Sequence, residues 1–148
     1  MGCGIGGTSR YLAKEHSCNV TGVTISGRQV ELARKLTLED GGKPQTTDDE
    51  EVERIKLGEG SVAFIELDAE KMGEFFSTRQ QKGTFDAVWI SEAMSHLPNK
   101  ELFFRNVELL LKPGGKLVVA DWFKDQDLSV EQFKADIAPI EGISAFDR

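Results

Sequence analysis

Apolar and polar positions change rhythm several times along this chain, and each rhythm predicts an element. "TSRYLAKEH" (Thr8–His16) reads as a short helix leaving a glycine-rich opening. "NVTGVTIS" (Asn19–Ser26) is β-branched and stops at a helix start, the pattern of a buried strand. "SGRQVELARKLTLE" sets Val30, Ala33 and Leu36 at helical spacing. Ser26 stands at its N-cap, and Gln29 three residues on would complete a capping box. "SVAFIELDAEKM" predicts a strand ending near Asp68, and Phe85–Ile90 another, with Trp89 read as core packing. "NKELFFRNVELLLKPGG" is a helix opened by Asn99 and stopped by Pro113-Gly114-Gly115. "KLVVADWF" is a further strand and "SVEQFKADI" a last helix. Strands alternating with helices predict an α/β fold with a mostly parallel sheet covered on both faces. Between about residues 40 and 60 the rhythm dissolves into Gly, Pro, Thr and the acidic run Asp48–Glu51. That stretch is read as an exposed, solvated insertion in a single domain spanning 1–148, with a short helix near Glu50–Lys56.

Composition narrows the partners more than the fold. At 148 residues the chain is long enough for one domain with a real core. Its formal net charge of −7 argues against nucleic acid, because phosphate binding wants clustered Lys and Arg. No apolar run is long enough to span a bilayer, and the opening residues lack the pattern of a secretory signal. Cys3 and Cys18 have no metal-ligand spacing, so no metal site is expected, and a reduced, cytoplasmic setting is.

The opening "MGCGIGGTSRYLA" carries the first chemistry. A glycine loop entering a helix turns tightly and lets main chain approach a ligand, while the helix start offers free N–H groups and a partial positive charge. Gly2, Gly4 and Gly7 fit G-x-G-x-x-G, a dinucleotide signature that is weak by itself. A tight turn without a ligand fits the spacing equally. A nicotinamide dinucleotide also wants an acid about 20 residues on to hold its ribose, and Thr24-Ile25-Ser26 offers none.

Taken in order, "GCGIGG", "GVTIS..Q", "LDAEKM", "FDAVWISEAMSHLP" and "LLKPGGKLVVADW" are similar to a class I S-adenosylmethionine-dependent methyltransferase. The resemblance runs from Gly2 to about Phe123 and is nearest to the branch with gamma-tocopherol, sterol and cyclopropane-fatty-acid methyltransferases. It implies a Rossmann-like parallel sheet with helices on both faces, and S-adenosyl-L-methionine as cofactor. By position, it implies that Gly2, Cys3, Gly4 and Gly6 line the methionine and ribose through backbone contacts. Thr24, Ile25 and Gln29 would meet the ribose and adenine, Asp68 and Ala69 the adenine, and Ile90 and Ser91 the ground beneath the sulfonium. Gln29 could equally cap its helix, Asp68 could instead cap the turn after its strand, and Trp122 could line an acceptor pocket or pack in the core or at the rim.

Methyl transfer from a sulfonium is an in-line displacement in which the protein aligns, desolvates and handles one proton. His96, in "SEAMSHLPNK", matches a His of the tocopherol-like branch, and an imidazole titrates near neutrality, as a base should. Glu92 is the second candidate. Related sequences read "EH" where this chain has Ser95-His96, one carboxylate fewer.

In that family a strand ending in an acid precedes the glycine loop, and a pair of antiparallel strands closes the sheet. This chain carries neither, so the resemblance implies a partial domain. By itself such a chain is expected to bind S-adenosylmethionine weakly or not at all, an expectation that micromolar affinity in a calorimetric titration would overturn. The expected acceptor is a small, apolar quinol, sterol, lipid or secondary metabolite, with the oligomeric state left open. Two other functions stand beside this one: a nicotinamide-dinucleotide-binding oxidoreductase, and a methyltransferase-like module that binds without catalysing.

Overall fold

The computed structural model describes residues 1–46, 52–123 and 129–137. The chain folds as two compact units, Met1–Gln80 and Gln81–Arg148.

The first unit is built on a four-stranded sheet in the order β1-β4-β3-β2. Helix α1 (Gly7–His16) leaves the glycine turn, β1 (Asn19–Thr24) follows, and α2 (Gly27–Glu39) returns along the sheet. Strands β2 (Lys43–Gln45), β3 (Arg54–Leu57) and β4 (Gly60–Glu66) complete it, then a 3-10 turn (Ala69–Lys71) and helix α3 (Met72–Thr78). β1 and β4 run parallel in register from Asn19 opposite Ser61 to Thr24 opposite Glu66. Helix spacing puts Ala13 of α1, with Val30 and Ala33 of α2, on the sheet side, where they bury against Ile55, Leu57, Val62 and Phe64. Ser26 caps α2, accepting from the Gln29 N–H at 3.3 Å, as the sequence implied.

The expected loop over 40–60 is corrected: its described part contributes two antiparallel strands. β3 pairs antiparallel with both β2 and β4. Arg54-Ile55-Lys56-Leu57 is strand, not helix, because its polar–apolar alternation buries Ile55 and Leu57 on the core side. On the other face Arg54 reaches across β4, donating to Ser61 Oγ at 3.1 Å and Thr21 Oγ1 at 3.0 Å. Burial lowers the pKa of this guanidinium. The acidic run Asp48–Glu51 lies outside the described residues.

The second unit pairs β5 (Phe85–Ser91) in parallel with β6 (Leu111–Ala120), joined through a 3-10 turn (Met94–His96) and helix α4 (Lys100–Leu110). Asn99 Oδ1 accepts from the Leu102 N–H at 2.9 Å, the cap its position predicted. Helix α4 ends at Leu110, short of the expected Pro113-Gly114-Gly115 stop, with Leu111 as an extended C-cap and Gly114 at φ +80°. Helix α5 (Val130–Gln132) opens with a capping box between Ser129 and Gln132 and passes into a π-turn over Phe133–Ile137.

Both parallel pairings bear out the α/β reading. Val88 and Ile90 are buried, while Ala87 and Trp89 on the alternate face are exposed. Trp89 is therefore not a core residue: at 43% exposure it stands on the strand face turned from the packed side. Among the described residues no helix is long and apolar enough to cross a membrane.

Candidate functional site

Three chain segments of the first unit are tied together at the carboxyl end of its parallel strands. The Cys3 N–H donates to Val23 O at 3.0 Å, fastening the glycine turn to the end of β1. The Leu67 N–H donates to Thr24 O at 2.8 Å, joining the exits of β1 and β4. In an open parallel sheet such an edge, beside a strand-to-helix turn, is where ligands sit.

The turn itself needs its glycines for two different reasons. Gly4 has φ +52°, and a Cβ there would meet nothing within 4 Å, so its backbone faces open space. Gly6 has φ +77°, and a Cβ there would fall 2.5 Å from the Phe64 ring. One glycine leaves room outside the protein, the other inside. Arg10 holds the turn from beneath: Nη1 donates to Ile5 O at 2.6 Å, while Nε pairs with Asp40 Oδ2 at 2.8 Å. Nothing in the sequence singles out Arg10, because its partner lies a whole helix away.

Thr24 is buried and its hydroxyl donates to Gln29 Oε1 at 2.6 Å. This corrects the capping box: Ser26 caps, but the Gln29 side chain turns to Thr24 instead of reaching back to the Ser26 N–H. Ile25 is exposed beside it. Asp68 is exposed and caps the 3-10 turn, Oδ1 accepting from the Glu70 N–H at 2.9 Å. Ala69, the first residue of that turn, is half-buried. One carboxylate that sequence reasoning misses is Glu66, packed where a Cβ on Gly27 would stand, at the start of α2. A negative group suits a helix start.

Burial pushes the Cys3 thiol up from its ordinary value of 9.0, so it is protonated near neutrality and unsuited to act as a nucleophile. The group favours the folded state below pH 9.0 and ceases to do so as pH rises beyond it. Urea unfolding at pH 7 and at pH 10 should show the parent chain losing more stability over that interval than Cys3→Ala. Equal losses would remove the thiol from the pH response.

The second unit carries the remaining candidates. Ile90 is buried in its core, and Ser91 ends β5, half-buried. Glu92 follows in the left-handed region, φ +49°, with its N–H donating to Ala120 O at 2.8 Å. A non-glycine residue held there is strained, and such strain gathers at functional turns. His96 is exposed at the end of the 3-10 turn. Trp122, just beyond β6, is 79% exposed. Among the described residues no group of His, Cys, Asp and Glu could hold a metal ion.

Residues 1–119 match the profile of a methyltransferase domain. The chain belongs to that family. Over 130 residues this methyltransferase domain is 39% identical to 2-methyl-6-phytyl-1,4-hydroquinone methyltransferase of Synechocystis sp., a match covering 88% of the chain and 33% of that protein. It is 28% identical to a probable chloroplastic tocopherol O-methyltransferase of Oryza sativa, covering 92% of the chain and 32% of the relative. The chain thus spans about a third of the length of these relatives. Among solved structures it resembles the 4+2 cyclase SpnF, with TM-score 0.64 and 25% identity, over 87% of this chain and 40% of that one. The methyltransferase domain therefore has the expected Rossmann-like α/β fold.

Proposed function

We propose that this domain takes part in S-adenosylmethionine-dependent methyl transfer to a small, apolar acceptor of the prenylated hydroquinone class. The observation that carries the reading is the glycine turn, bonded through Cys3 to the end of β1 and open outward at Gly4, within a chain of the methyltransferase family. Relatives named for a phytyl hydroquinone and a tocopherol support the acceptor class.

When bound, the cofactor would supply a methyl carbon made electrophilic by its sulfonium. The chain's own residues would hold and orient. Main chain of Gly2, Cys3, Gly4 and Gly6, with the start of α1, would take the methionine and ribose. Thr24, Ile25 and Gln29 would meet the ribose and adenine, with the Thr24–Gln29 bond fixing the amide. Asp68 and Ala69 would receive the adenine, the Asp68 oxygen not used in its cap accepting from the exocyclic amine. Ile90 and Ser91 would contribute main chain at the end of β5. His96 would take the acceptor proton as general base, and Glu92 is the alternative base.

The test is transfer of a labelled methyl group from S-adenosylmethionine to a prenylated hydroquinone, using the protein at the length its gene encodes. Transfer that S-adenosylhomocysteine suppresses is expected. No transfer, together with a fluorescence response to NADH and none to S-adenosylhomocysteine, would overturn the reading in favour of an oxidoreductase.

A further inference from the structure

Past the last ladder pair of the second unit, Ser91 opposite Ala120, a side chain links the continuations of the two strands. Asp121 Oδ2 accepts from the Met94 N–H at 2.8 Å, and its Oδ1 accepts from the Trp122 N–H at 2.8 Å. Its two oxygens thus engage two amides, one of them on a segment 27 residues away in the chain. Met94 is buried at the start of the 3-10 turn, midway between Glu92 and His96.

The rest of that turn is loosely furnished. Glu92 is tied by its N–H to Ala120 O but sits at a strained φ of +49°. The His96 and Leu97 N–H groups make 3.2 Å bonds to carbonyls within the same turn, which shape it without anchoring it to β6. The Asp121 carboxylate is therefore the side-chain anchor of the turn to the neighbouring strand. Hydrogen bonds from amides to an ionised carboxylate are stronger than neutral ones.

We propose that Asp121 is a positioning residue: it holds the Glu92–His96 turn, and the main chain of Trp122, in the arrangement needed for methyl transfer. The proposal rests on the methyltransferase reading of that turn. The residue type matters. Asparagine of the same shape has a single acceptor oxygen, so it can satisfy one of the two amides and presents an NH2 group to the other. Alanine satisfies neither.

The test uses Asp121→Ala and Asp121→Asn in the protein at its encoded length, with kcat and KM measured well below the melting temperature. For Asp121→Ala, kcat should fall by about tenfold or more through misplacement of the turn, with KM for S-adenosylmethionine changed by less than about threefold. Asp121→Asn should recover part of that loss. Amide exchange at Met94 should quicken in Asp121→Ala, while exchange at Val88 and Ile90 in the ladder keeps its parental rate. An active parent whose kcat is unaltered in Asp121→Ala would overturn the proposal, as would asparagine giving no recovery. If the parent transfers no methyl group, the functional reading fails separately, and unchanged Met94 exchange would then sink the anchor itself. If Asp121→Ala fails to fold, Asp121→Asn decides by the same measurements: an intermediate kcat with faster Met94 exchange supports the proposal, and parental values of both reject it.

Discussion

Alanine at position 6 is expected to cost the first unit about 2–5 kcal/mol of stability, the sum of a left-handed backbone penalty and an overpacked core. Gly6 precedes α1 with φ +77°, so any side chain there begins strained. Its added Cβ would lie 2.5 Å from Phe64 Cε1 and Cζ and 3.2 Å from Ala33 Cβ. Phe64 is 1% exposed, enclosed by Val62, Ile55 and the sheet side of α2, so the ring has nowhere to withdraw. Gly4→Ala is the control. It shares the left-handed φ, but its Cβ would meet nothing within 4 Å, so it should cost only about 1–2 kcal/mol. Urea unfolding followed by circular dichroism separates the two. Equal losses would mean that Gly6 serves backbone conformation alone and that the packing argument is mistaken.

The corresponding loss in the second unit should come from Phe103→Ala, expected at about 3–5 kcal/mol. Phe103, Val107 and Leu110 recur at helical spacing on the inner face of α4, all buried, with Val88 and Ile90 of β5 in the same unit. Phe103 has no exposure at all, so its truncation removes a fully buried ring and leaves an internal cavity. Phe104 beside it meets its ring edge-on at a centroid distance of 5.5 Å and is 43% exposed. Phe104→Ala should therefore cost less than half as much as Phe103→Ala. Thermal unfolding of the two variants makes the comparison. Similar melting temperatures would show that the inner face of α4 does not carry this unit's core.

How far the sequence is legible depends on how local each contact is. Asn99 and Ser26 announce helix starts because a cap bonds to an amide within three residues, and spacing alone determines whether it can reach. The antiparallel pair of β2 and β3 is different. Its strand β3 has only four residues, set among Gly, Pro and acidic residues whose composition reads as loop. What makes it a strand is the waiting edge of β4 and the burial of Ile55 and Leu57, neither of which is visible in a local window. Trp89 escapes a sequence reading for a related reason: a run of apolar residues does not say which strand face a helix will cover.

The candidate site divides in the same way. The glycine turn, Thr24, Gln29 and Asp68 can be picked out as a group, since motif order brings them to one family. Their partners cannot. Gln29 was free to bond its own cap or Thr24, and the shape of the turn chose Thr24. Arg10 at the glycine turn and Asp121 at the Glu92–His96 turn are invisible in sequence, because each bonds a residue far along the chain, Asp40 for Arg10 and Met94 for Asp121.

By itself, then, the sequence determined the alternation of helices and strands, the caps, the glycine turn and the family. These follow from periodicity, from bonds spanning a few residues, and from the order of motifs. Only the tertiary structure decided that Gly6 is required by the Phe64 ring, that β3 completes a sheet, and that one carboxylate anchors the turn after β5. Those outcomes depend on which surfaces meet across long stretches of chain. Packing and hydrogen-bond geometry settle that, and no local pattern encodes them.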